Sequence, residues 1–394
     1  MKIRLWLSLV IMLLVLTACA STPTATPALS TITLPTNTPV PTMTSTVTPT
    51  ATLTRILTAI PTSRPPTLRD YADKIGFKIG FYYQGNTPEF LQVASKHFNL
   101  GQIFIGWPYS EPSQGNFDFT ALQYYTSFAE RHKMATQAGM LVWQADLPEW
   151  VRRGNFSRDE LIDVMQKHIK GLMSPYRGKV DQWLVVNESY LSPYRPNDLF
   201  YKTIGMEYIE IVFRVAREAD PSAILIYNDA CNWTAKGICT PLTRQIVEML
   251  KPKGLIDGVG LQMHLLQSEN APPEKSDVIA TMISYGVPIY VTEFDVNLRN
   301  VRGTQDERYA FQANVYREML EACLESGMCK SFTIFGISDK LSVWETEKSI
   351  DGYSPNADPL PFDDNFKPKP AYFAMLEVLQ RFAEQKDAIP TVKP

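Results

Sequence analysis

Two glutamates occupy positions in this chain of 394 residues at which carboxyl groups do chemistry. Glu188 closes the segment QWLVVNE, and Glu293 closes the segment PIYVTE. Each follows a short β-branched run of the kind that forms a buried strand. A carboxylic acid at the end of one parallel strand, facing a carboxylate at the end of another, is the arrangement that cleaves glycosidic bonds. The pair therefore indicates acid–base and nucleophilic chemistry on a sugar.

Eight short apolar runs alternate with amphipathic stretches and would position these glutamates. The helical stretches include RDELIDVMQKHIKGLM and RYAFQANVYREMLEACLES, which carry apolar residues at helical spacing. Repeated strand-then-helix units predict a closed parallel (β/α)8 barrel in a single catalytic domain, with the chemistry at the carboxyl ends of the strands. The predicted strands begin at Phe77, Ile103, Gly139, Gln182, Ala223, Gly258, Ile289 and Ser331.

The alternation of side chains along the predicted strands adds candidates. In GVGLQMH, Gln262 and His264 share one face and would point together toward the barrel mouth. The same rule places Glu293 on the face of Val291. A lone histidine is more often a structural residue than a catalytic one. An amide two residues before His264, in an otherwise apolar segment, favours the functional interpretation.

The amino-terminal residues predict export. Lys2 and Arg4 precede an apolar run from Leu5 to Leu16, which is short for a membrane span and is followed by LTAC. The pattern resembles a bacterial lipoprotein signal over residues 1–18, in which Cys19 becomes the acylated amino terminus. The competing interpretation is an ordinary secretory signal with an incidental cysteine. Both predict a protein outside the cytoplasm, lipid-anchored at the cell surface or extracellular.

Composition divides the rest of the chain. Residues 19–69 are rich in Thr and Pro with almost no aromatic residues, so they cannot bury enough apolar surface to fold and are expected to form a disordered tether. Residues 70–386 are expected to form the barrel, and residues 387–394 a tail. The formal net charge is −3 with 20% charged residues, which leaves no basic stripe for nucleic acid. We expect a monomer that touches the membrane only through its lipid.

Four cysteines besides Cys19 form two closely spaced pairs. The spacings of Cys231 with Cys239 and of Cys323 with Cys329 allow two local disulfides, which suits an exported protein. Metal ligation is the alternative, but the four histidines are scattered and none lies at ligand spacing from these cysteines. We therefore expect neither a metal nor another cofactor.

Several segments together resemble glycoside hydrolase family 10, the retaining endo-β-1,4-xylanases. They occur in the family order and extend from about Phe77 to Tyr372, nearly the whole predicted barrel. Further segments of the same pattern are EPSQGNFDF and LVWQADLPEW. The main blocks are WLVVNE, NDA after ILIY, DGVGLQMHL, VTEFD, FGISDKLSVW and PLPFDDNFKPKPAY.

The resemblance implies a role for each matching residue. Glu188 would be the acid/base and Glu293 the nucleophile. Asn187 would bind the sugar 2-hydroxyl, while His264 and Gln262 would orient Glu293. A polysaccharide or oligosaccharide is the implied partner. Substrate-binding positions fall, besides Gln262, on Asn228, Trp344, Trp107, Trp143 and Gln144.

Departures from the family pattern concern substrate binding, and Gly106 stands where the family usually has a lysine. The leading hypothesis is a retaining endo-acting β-glycosidase that cleaves β-1,4-xylosidic linkages in xylan or a related polymer through a covalent glycosyl-enzyme. One alternative keeps this mechanism on another β-glycan or shifts it to transglycosylation. The other is a weakly active or inactive glycan-binding lipoprotein. The altered positions are Gln102, Ile103, Gly106, Gly139, Gln144, Leu184 and Phe335.

Overall fold

Strands and helices alternate along the part of the chain that the structure describes. A computed structural model of the protein describes residues 64–189, 198–266, 271–346 and 356–388. The strands are β1 Lys78–Tyr82, β2 Leu100–Phe104, β3 Ala135–Trp143, β4 Gln182–Asn187, β5 Ile224–Asp229, β6 Gly258–Leu261, β7 His264–Leu265, β8 Ile289–Val296 and β9 Cys329–Ile334. The helices are α1 Leu68–Ile75, α2 Pro88–His97, α3 Trp107–Ser110, α4 Thr120–Arg131, α5 Glu149–Arg152, α6 Arg158–Met173, α7 Leu199–Thr203, α8 Glu207–Ala219, α9 Thr240–Leu250, α10 Lys275–Ser284, α11 Gln305–Glu325, α12 Val343–Thr346 and α13 Pro370–Ala388.

The strands close into a parallel barrel, which confirms the predicted (β/α)8 fold. Each strand from β1 to β5 pairs in parallel with the next, β1 also pairs with β9, and β9 pairs with β8. The pairing of β6 with β8 completes the circle. The two-residue strand β7 continues the line of β6 after a break at Gln262 and Met263, and it pairs with the end of β8. Met263 has a φ of 58°, so the chain turns sharply there.

All eight predicted strands are present, although the bounds of several differ from the prediction. Strand β2 ends at Phe104, whereas the prediction ran from Ile103 to Trp107. The shift arises because Trp107 and Pro108 start α3 instead of continuing the strand. Strand β3 begins at Ala135 rather than at Gly139.

Capping residues set where the main helices begin. In α1, α6 and α11 the side chain of the residue before the helix accepts a hydrogen bond from the backbone N–H of the third helical residue. The carboxylate of that third residue accepts a hydrogen bond from the backbone N–H of the residue before the helix. Because α1 begins at Leu68, the folded domain starts slightly before the predicted boundary at residue 70. Helix α13 runs to Ala388, past the predicted end at residue 386. The capping pairs are Thr67 with Asp70, Ser157 with Glu160, and Thr304 with Glu307.

The apolar core has two parts, one outside the barrel wall and one within it. The larger part packs the outer faces of the strands against the surrounding helices. The smaller part joins side chains from the neighbouring strands β3, β4 and β5 with one from β8, which can reach them only across the barrel interior. Toward the carboxyl ends of the strands, polar side chains replace this inner apolar layer. The inner cluster is Met140, Leu184, Ile226 and Tyr290.

Two β-bulges overturn the predicted alternation of side chains. The pairing of β8 with β9 shifts register between Val291 and Phe294, so two successive residues face the same way. Val291 packs outward among the helices, while Glu293 faces the barrel interior. A second shift in β4, between Leu184 and Val186, acts in the same way at the end of that strand. The inward direction of the acidic and amide side chains therefore depends on the bulges.

Both expected disulfides are present, with a Cα–Cα distance of 5.1 Å in each pair. Cys231 joins Cys239 before α9, and Cys323 in α11 joins Cys329 at the start of β9. Among the described residues, no helix combines the length and the apolar character that a membrane span needs. The predicted signal, the lipidated Cys19, nearly all of the predicted tether and residues 389–394 lie outside the described residues.

Candidate active site

Glu188 lies just beyond β4, at the carboxyl end of the barrel, and two donors bind its carboxylate. The indole N–H of Trp143 donates to Oε2 at 2.9 Å, and the amide of Gln262 donates to Oε1 at 3.0 Å. Glu188 has a φ of 51°, which turns the backbone out of the strand direction. Its own N–H donates to the carbonyl of Asn228 at 3.0 Å, which ties this turn to β5. The carboxyl group is therefore held at the mouth with a defined direction.

Glu293 faces the same opening from β8 and is 4% exposed. The amide of Asn228 donates to its Oε1 at 2.9 Å, and the ring of His264 bonds its Oε2 at 3.1 Å. The other ring nitrogen of His264 bonds Asp295 at 3.0 Å. The imidazole is thus clamped between two carboxylates, which fixes the direction of Glu293.

Three side-chain amides, those of Gln262, Asn187 and Asn228, bridge the glutamates. The amide nitrogen of Gln262 donates both to Glu188 and to Asn187 Oδ1, the second at 3.2 Å. The amide nitrogen of Asn228 donates to the same Asn187 oxygen at 2.9 Å and also to Glu293. The amide nitrogen of Asn187 is buried, and no described residue is its hydrogen-bond partner. One hydrogen-bonded chain therefore joins the two carboxyl groups and leaves one donor for a ligand.

The electrostatic environments of the two glutamates differ. Burial raises the pKa of Glu188, and the charge of Glu293 adds to this effect, while hydrogen bonds from Gln262 and Trp143 act in the opposite direction. Burial alone would lower the pKa of His264, but Asp295 and then Glu293 outweigh it and raise that pKa to about 10. At neutral pH, Glu188 is therefore the carboxyl disposed to hold a proton, and Glu293 lies against an imidazolium.

Aromatic side chains border the same region. The indole N–H of Trp344 donates to Asp295, and its ring lies 5.1 Å from that of His264. Phe335, in a position where the resemblance expects a tryptophan, packs edge-on against His264 at 4.8 Å and stacks on Tyr82 at 4.7 Å. Such rings suit a carbohydrate, whose C–H faces pack on aromatic surfaces.

Two predicted substrate-binding residues lie outside this network. Trp107 is 1% exposed, stacks on His168 at 3.9 Å and donates its indole N–H to Glu111 at 3.0 Å. It is part of the core, which corrects the expectation that it binds substrate. Gln144 lies beside the cleft, but its oxygen accepts from the backbone N–H of Leu199 at 3.0 Å. That bond holds the start of α7.

Two glycines among the altered positions are packed against neighbouring side chains. A Cβ on Gly106 would overlap Asp146 Oδ2, so the Asp146 carboxyl fills the space beside Gly106. Asp146 Oδ2 is buried and has no hydrogen-bond partner among the described residues. Burial raises the pKa of Asp146 to about 6, although Arg152 acts in the opposite direction. A Cβ on Gly139 would lie 2.5 Å from that of Leu184, another altered position.

Three further residues belong to the site, and the sequence analysis gave them no role. Asp295 clamps His264, Asp146 borders the cleft, and Tyr82 stacks on Phe335. Burial and the charge of Glu293 raise the pKa of Tyr82, so its phenol stays protonated. Each of the three lies at or just beyond the carboxyl end of a strand, and that position is the signal that could have identified them.

One group of side chains among the described residues has the spacing of metal ligands. Ligand atoms of Asp229, Cys231 and Cys239 lie within 4.8 Å of one another. Both sulfurs are joined in a disulfide, so neither is available as a thiolate ligand.

Comparison with known proteins identifies the family of this chain. A sequence model of glycosyl hydrolase family 10 matches residues 68–378. Endo-1,4-beta-xylanase B of Thermotoga neapolitana is 32% identical over 337 residues, covering 82% of this chain and 94% of the relative. Native xylanase 10B from Thermotoga maritima superposes with a TM-score of 0.73 at 32% identity, covering 81% of this chain and 100% of that one. Xylanase 10B from Thermotoga petrophila, solved with xylobiose, superposes with a TM-score of 0.73 at 31% identity, covering 82% of this chain and 99% of that one. The chain therefore belongs to glycosyl hydrolase family 10.

Proposed function

We propose that this protein is a retaining endo-β-1,4-xylanase that acts outside the cell on xylan or a closely related polysaccharide. One observation carries the proposal: Glu188 and Glu293 are joined through three side-chain amides at one barrel mouth, in environments that suit an acid and a nucleophile. The named relatives are endo-1,4-beta-xylanases, which supports xylan as the substrate.

The geometry supports a double displacement. Glu293, oriented by Asn228 and His264, attacks the anomeric carbon while Glu188 donates its proton to the leaving oxygen. The glycosyl-enzyme is then attacked by a water molecule from which Glu188 removes a proton. The unpartnered amide nitrogen of Asn187 is placed to donate to a sugar hydroxyl beside the reacting carbon. The product keeps the anomeric configuration of the substrate.

Proton NMR of the first product tests this mechanism. We expect the β-anomer to appear first from xylo-oligosaccharides and then to mutarotate. An initial α-anomer would show inversion and would overturn the assignment of Glu293 as nucleophile. Reducing-sugar release from a panel of β-glycans tests the substrate, and xylan is expected to give the highest kcat/KM.

A different β-glycan is the second candidate substrate. Gly106, Gly139 and Leu184 depart from the family pattern at substrate-binding positions, and the contacts of Gly106 with Asp146 and of Gly139 with Leu184 favour this candidate. A higher kcat/KM on another polymer of the panel would select this candidate. A shift toward transglycosylation would appear as products longer than the substrate. Specific binding without turnover on the whole panel would instead support a glycan-binding protein.

The cellular location is also part of the proposal. The segment that ends in LTAC supports lipid attachment at Cys19, and the Thr/Pro-rich residues 19–69 support a tether between lipid and barrel. Replacement of Cys19 by Ser should release the protein from the membrane fraction without changing its activity. Retention of the Cys19→Ser protein in the membrane fraction would contradict lipid anchoring.

A further inference from the structure

The most exposed large apolar side chain in the described part of the chain is that of Tyr109, at 69%. It lies in α3, which follows β2 and is therefore at the end of the barrel that holds the catalytic pair. The backbone N–H groups of Tyr109 and Ser110 both donate to the carbonyl of Gly106 at 3.0 Å, which fixes the turn that carries the ring. A single exposed aromatic side chain is ordinary, so its neighbours decide whether it has a use.

Phe104 places a second ring beside Tyr109. Strand β2 pairs in unbroken register with β1 and β3, and Ile103 and Ile105 pack outward among the helices. The alternate residue Phe104 therefore faces the barrel mouth. Its half-buried ring lies 6.1 Å from the ring of Tyr109, at an interplanar angle of 63°. The two rings form one aromatic surface that extends from the mouth to solvent.

A carboxylate lies against the same surface. A Cβ on Gly106 would overlap Asp146 Oδ2 and would lie 2.7 Å from the ring of Phe104, so the three residues meet at this point. Asp146 Oδ2 is buried, and no described residue is its hydrogen-bond partner. Because a buried carboxylate oxygen without a donor is costly, this atom is suited to accept a hydrogen bond from a ligand hydroxyl.

The backbone connects this cluster with the acid Glu188. The N–H of Asp146 donates to the carbonyl of Trp143 at 3.1 Å, which closes a four-residue turn. The turn keeps the Cα atoms of Asp146 and Trp143 within about 7 Å of each other. The indole of Trp143 donates to Glu188 at 2.9 Å. The cluster is therefore one turn of chain away from a direct ligand of the acid.

Tyr82 connects the same cluster with Glu293. The ring of Tyr82 stacks on Phe335 at 4.7 Å. Burial raises the pKa of Tyr82, and the charge of Glu293 raises it further; ionised Tyr109 and Asp146 act on it in the same direction. Charge effects of this kind fade beyond about 10 Å, so Tyr82 borders both the nucleophile and the cluster. Because Glu293 attacks the sugar that stays on the enzyme, the cluster lies on that sugar's side of the cleaved bond.

We propose that Tyr109, Phe104 and Asp146 form a subsite for a sugar of the polysaccharide beyond the one that Glu293 attacks, on the side away from the leaving group. The rings pack on the C–H face of this sugar, and Asp146 accepts a hydrogen bond from one of its hydroxyl groups. The inference rests on the proposed function, since it extends the same cleft. A longer side chain at Gly106 would occupy the space of the Asp146 carboxyl, so the subsite depends on this departure from the family pattern.

Aryl β-glycosides of xylose, xylobiose and xylotriose test the subsite with the full chain. The aryl group fixes the cleaved bond, so each added xylosyl unit extends away from the leaving group, and kcat/KM should rise when a unit reaches the subsite. Tyr109→Ala should reduce the largest of these gains by about fivefold, which corresponds to about 1 kcal/mol. Asp146→Ala should reduce the same gain, whereas Tyr109→Phe should keep most of it because it keeps the ring.

Phe373→Ala is the matched control, since it removes an exposed ring from the outer helix α13. It should leave each gain unchanged. A wild-type gain in either Tyr109→Ala or Asp146→Ala would overturn the proposal. Hydrolysis of the shortest reactive glycoside by the wild type reports the proposed function separately, because only the gains with length report the subsite.

Calorimetry on proteins that also carry Glu293→Ala keeps the test decisive if no glycoside is hydrolysed. Adding Tyr109→Ala to this background should weaken the binding of xylotriose by about fivefold. If Tyr109→Ala weakens the binding of cello-oligosaccharides but not of xylo-oligosaccharides, the subsite is supported and xylan is contradicted as the substrate. Unchanged binding of both series would overturn the subsite.

Discussion

At the scale of single residues, the two catalytic candidates differ through what surrounds them. Glu188 receives hydrogen bonds from two neutral donors, an indole and an amide. Glu293 receives one amide and the imidazole of His264, which Asp295 keeps charged. Identical carboxyl groups thus acquire different roles from their partners, as paired acids in enzymes generally do.

Glu188→Ala should separate the role of acid from that of nucleophile. Without a proton donor, we expect hydrolysis of xylo-oligosaccharides to fall by about 10²–10⁴-fold. Aryl xylosides whose leaving group needs little protonation should lose much less in the first, glycosylation step. Stopped-flow kinetics on both substrate types measures this difference, and Glu293→Ala serves as the control that loses both activities. Equal losses for Glu188→Ala on the two substrates would contradict its role as acid.

His264 should make the stability of the protein depend on pH. Its pKa is about 10 in the folded state and 6.5 in the reference state, so the folded protein holds an extra proton between these values. The stabilisation is complete below about pH 6.5 and is lost as the pH rises toward 10, by about 1.4 kcal/mol per pH unit. Urea unfolding between about pH 7 and 9 should show this slope in the wild type, and a flatter one in His264→Gln.

His132→Gln is the matched control for that experiment. His132 packs against Phe128 at the end of α4, at the amino-terminal side of the barrel. The unfolding free energy of this variant should follow the wild-type pH dependence. If the unfolding free energies of wild type and His264→Gln change with pH along parallel curves, His264 does not carry the extra proton.

At the scale of elements, two of the altered positions are glycines, and each is packed against a side chain from a neighbouring loop or strand. Asp146, after β3, fills the space beside Gly106, after β2. Leu184 of β4 packs onto Gly139 of β3 in the same way. Because each glycine leaves room for its partner, a change at one position constrains the other.

Gly106→Ala should reveal the first coupling. The new methyl group would overlap Asp146 Oδ2 and crowd the ring of Phe104, so the variant should lose about 1–3 kcal/mol of unfolding free energy. Asp146→Ala in the same chain removes the overlap and should recover most of the loss. Chemical denaturation of the two single variants and the double variant measures the coupling. Additive losses would show that the two positions are independent.

Gln144 illustrates how one side chain supports an element. Gln144→Leu removes the acceptor for the Leu199 N–H at the start of α7 and should cost about 0.5–1.5 kcal/mol in unfolding free energy. Gln144→Glu keeps an oxygen at that position and should cost less. Urea denaturation compares the two variants, and equal losses would show that the hydrogen bond contributes nothing.

The sequence predicted the barrel and most of the site for a definite physical reason. Strand ends are marked by the change from β-branched residues to Asn, Glu, Gln and His, and parallel strands bring those ends together. Bulges leave no such mark, so the faces of Val291 and Glu293 were predicted wrongly. Trp107 was misplaced because its ring turns into the core where α3 begins. The contact of Asp146 with Gly106 joins two separate loops, which spacing along the chain does not reveal.

At the scale of the whole molecule, the first and last described helices close the outer layer of the barrel. Helix α1 packs against α13, and Lys386 donates to the carbonyl of Lys74 at 3.1 Å. Leu68 and Ala72 of α1 are fully buried, as is Leu379 of α13. The two ends of the domain therefore stabilise each other.

A shortened chain tests where the folded unit begins. A protein that starts at Arg64 keeps the capped helix α1 and should match the full chain in Tm and in kcat/KM on soluble xylo-oligosaccharides. One that starts at Phe77 loses α1 and should lose about 3 kcal/mol or more of unfolding free energy, because Leu68 leaves the core and Arg69 no longer binds the Ser95 and His132 carbonyls. Lower activity of the Arg64 protein on soluble oligosaccharides would mean that the preceding residues take part in catalysis rather than only in attachment.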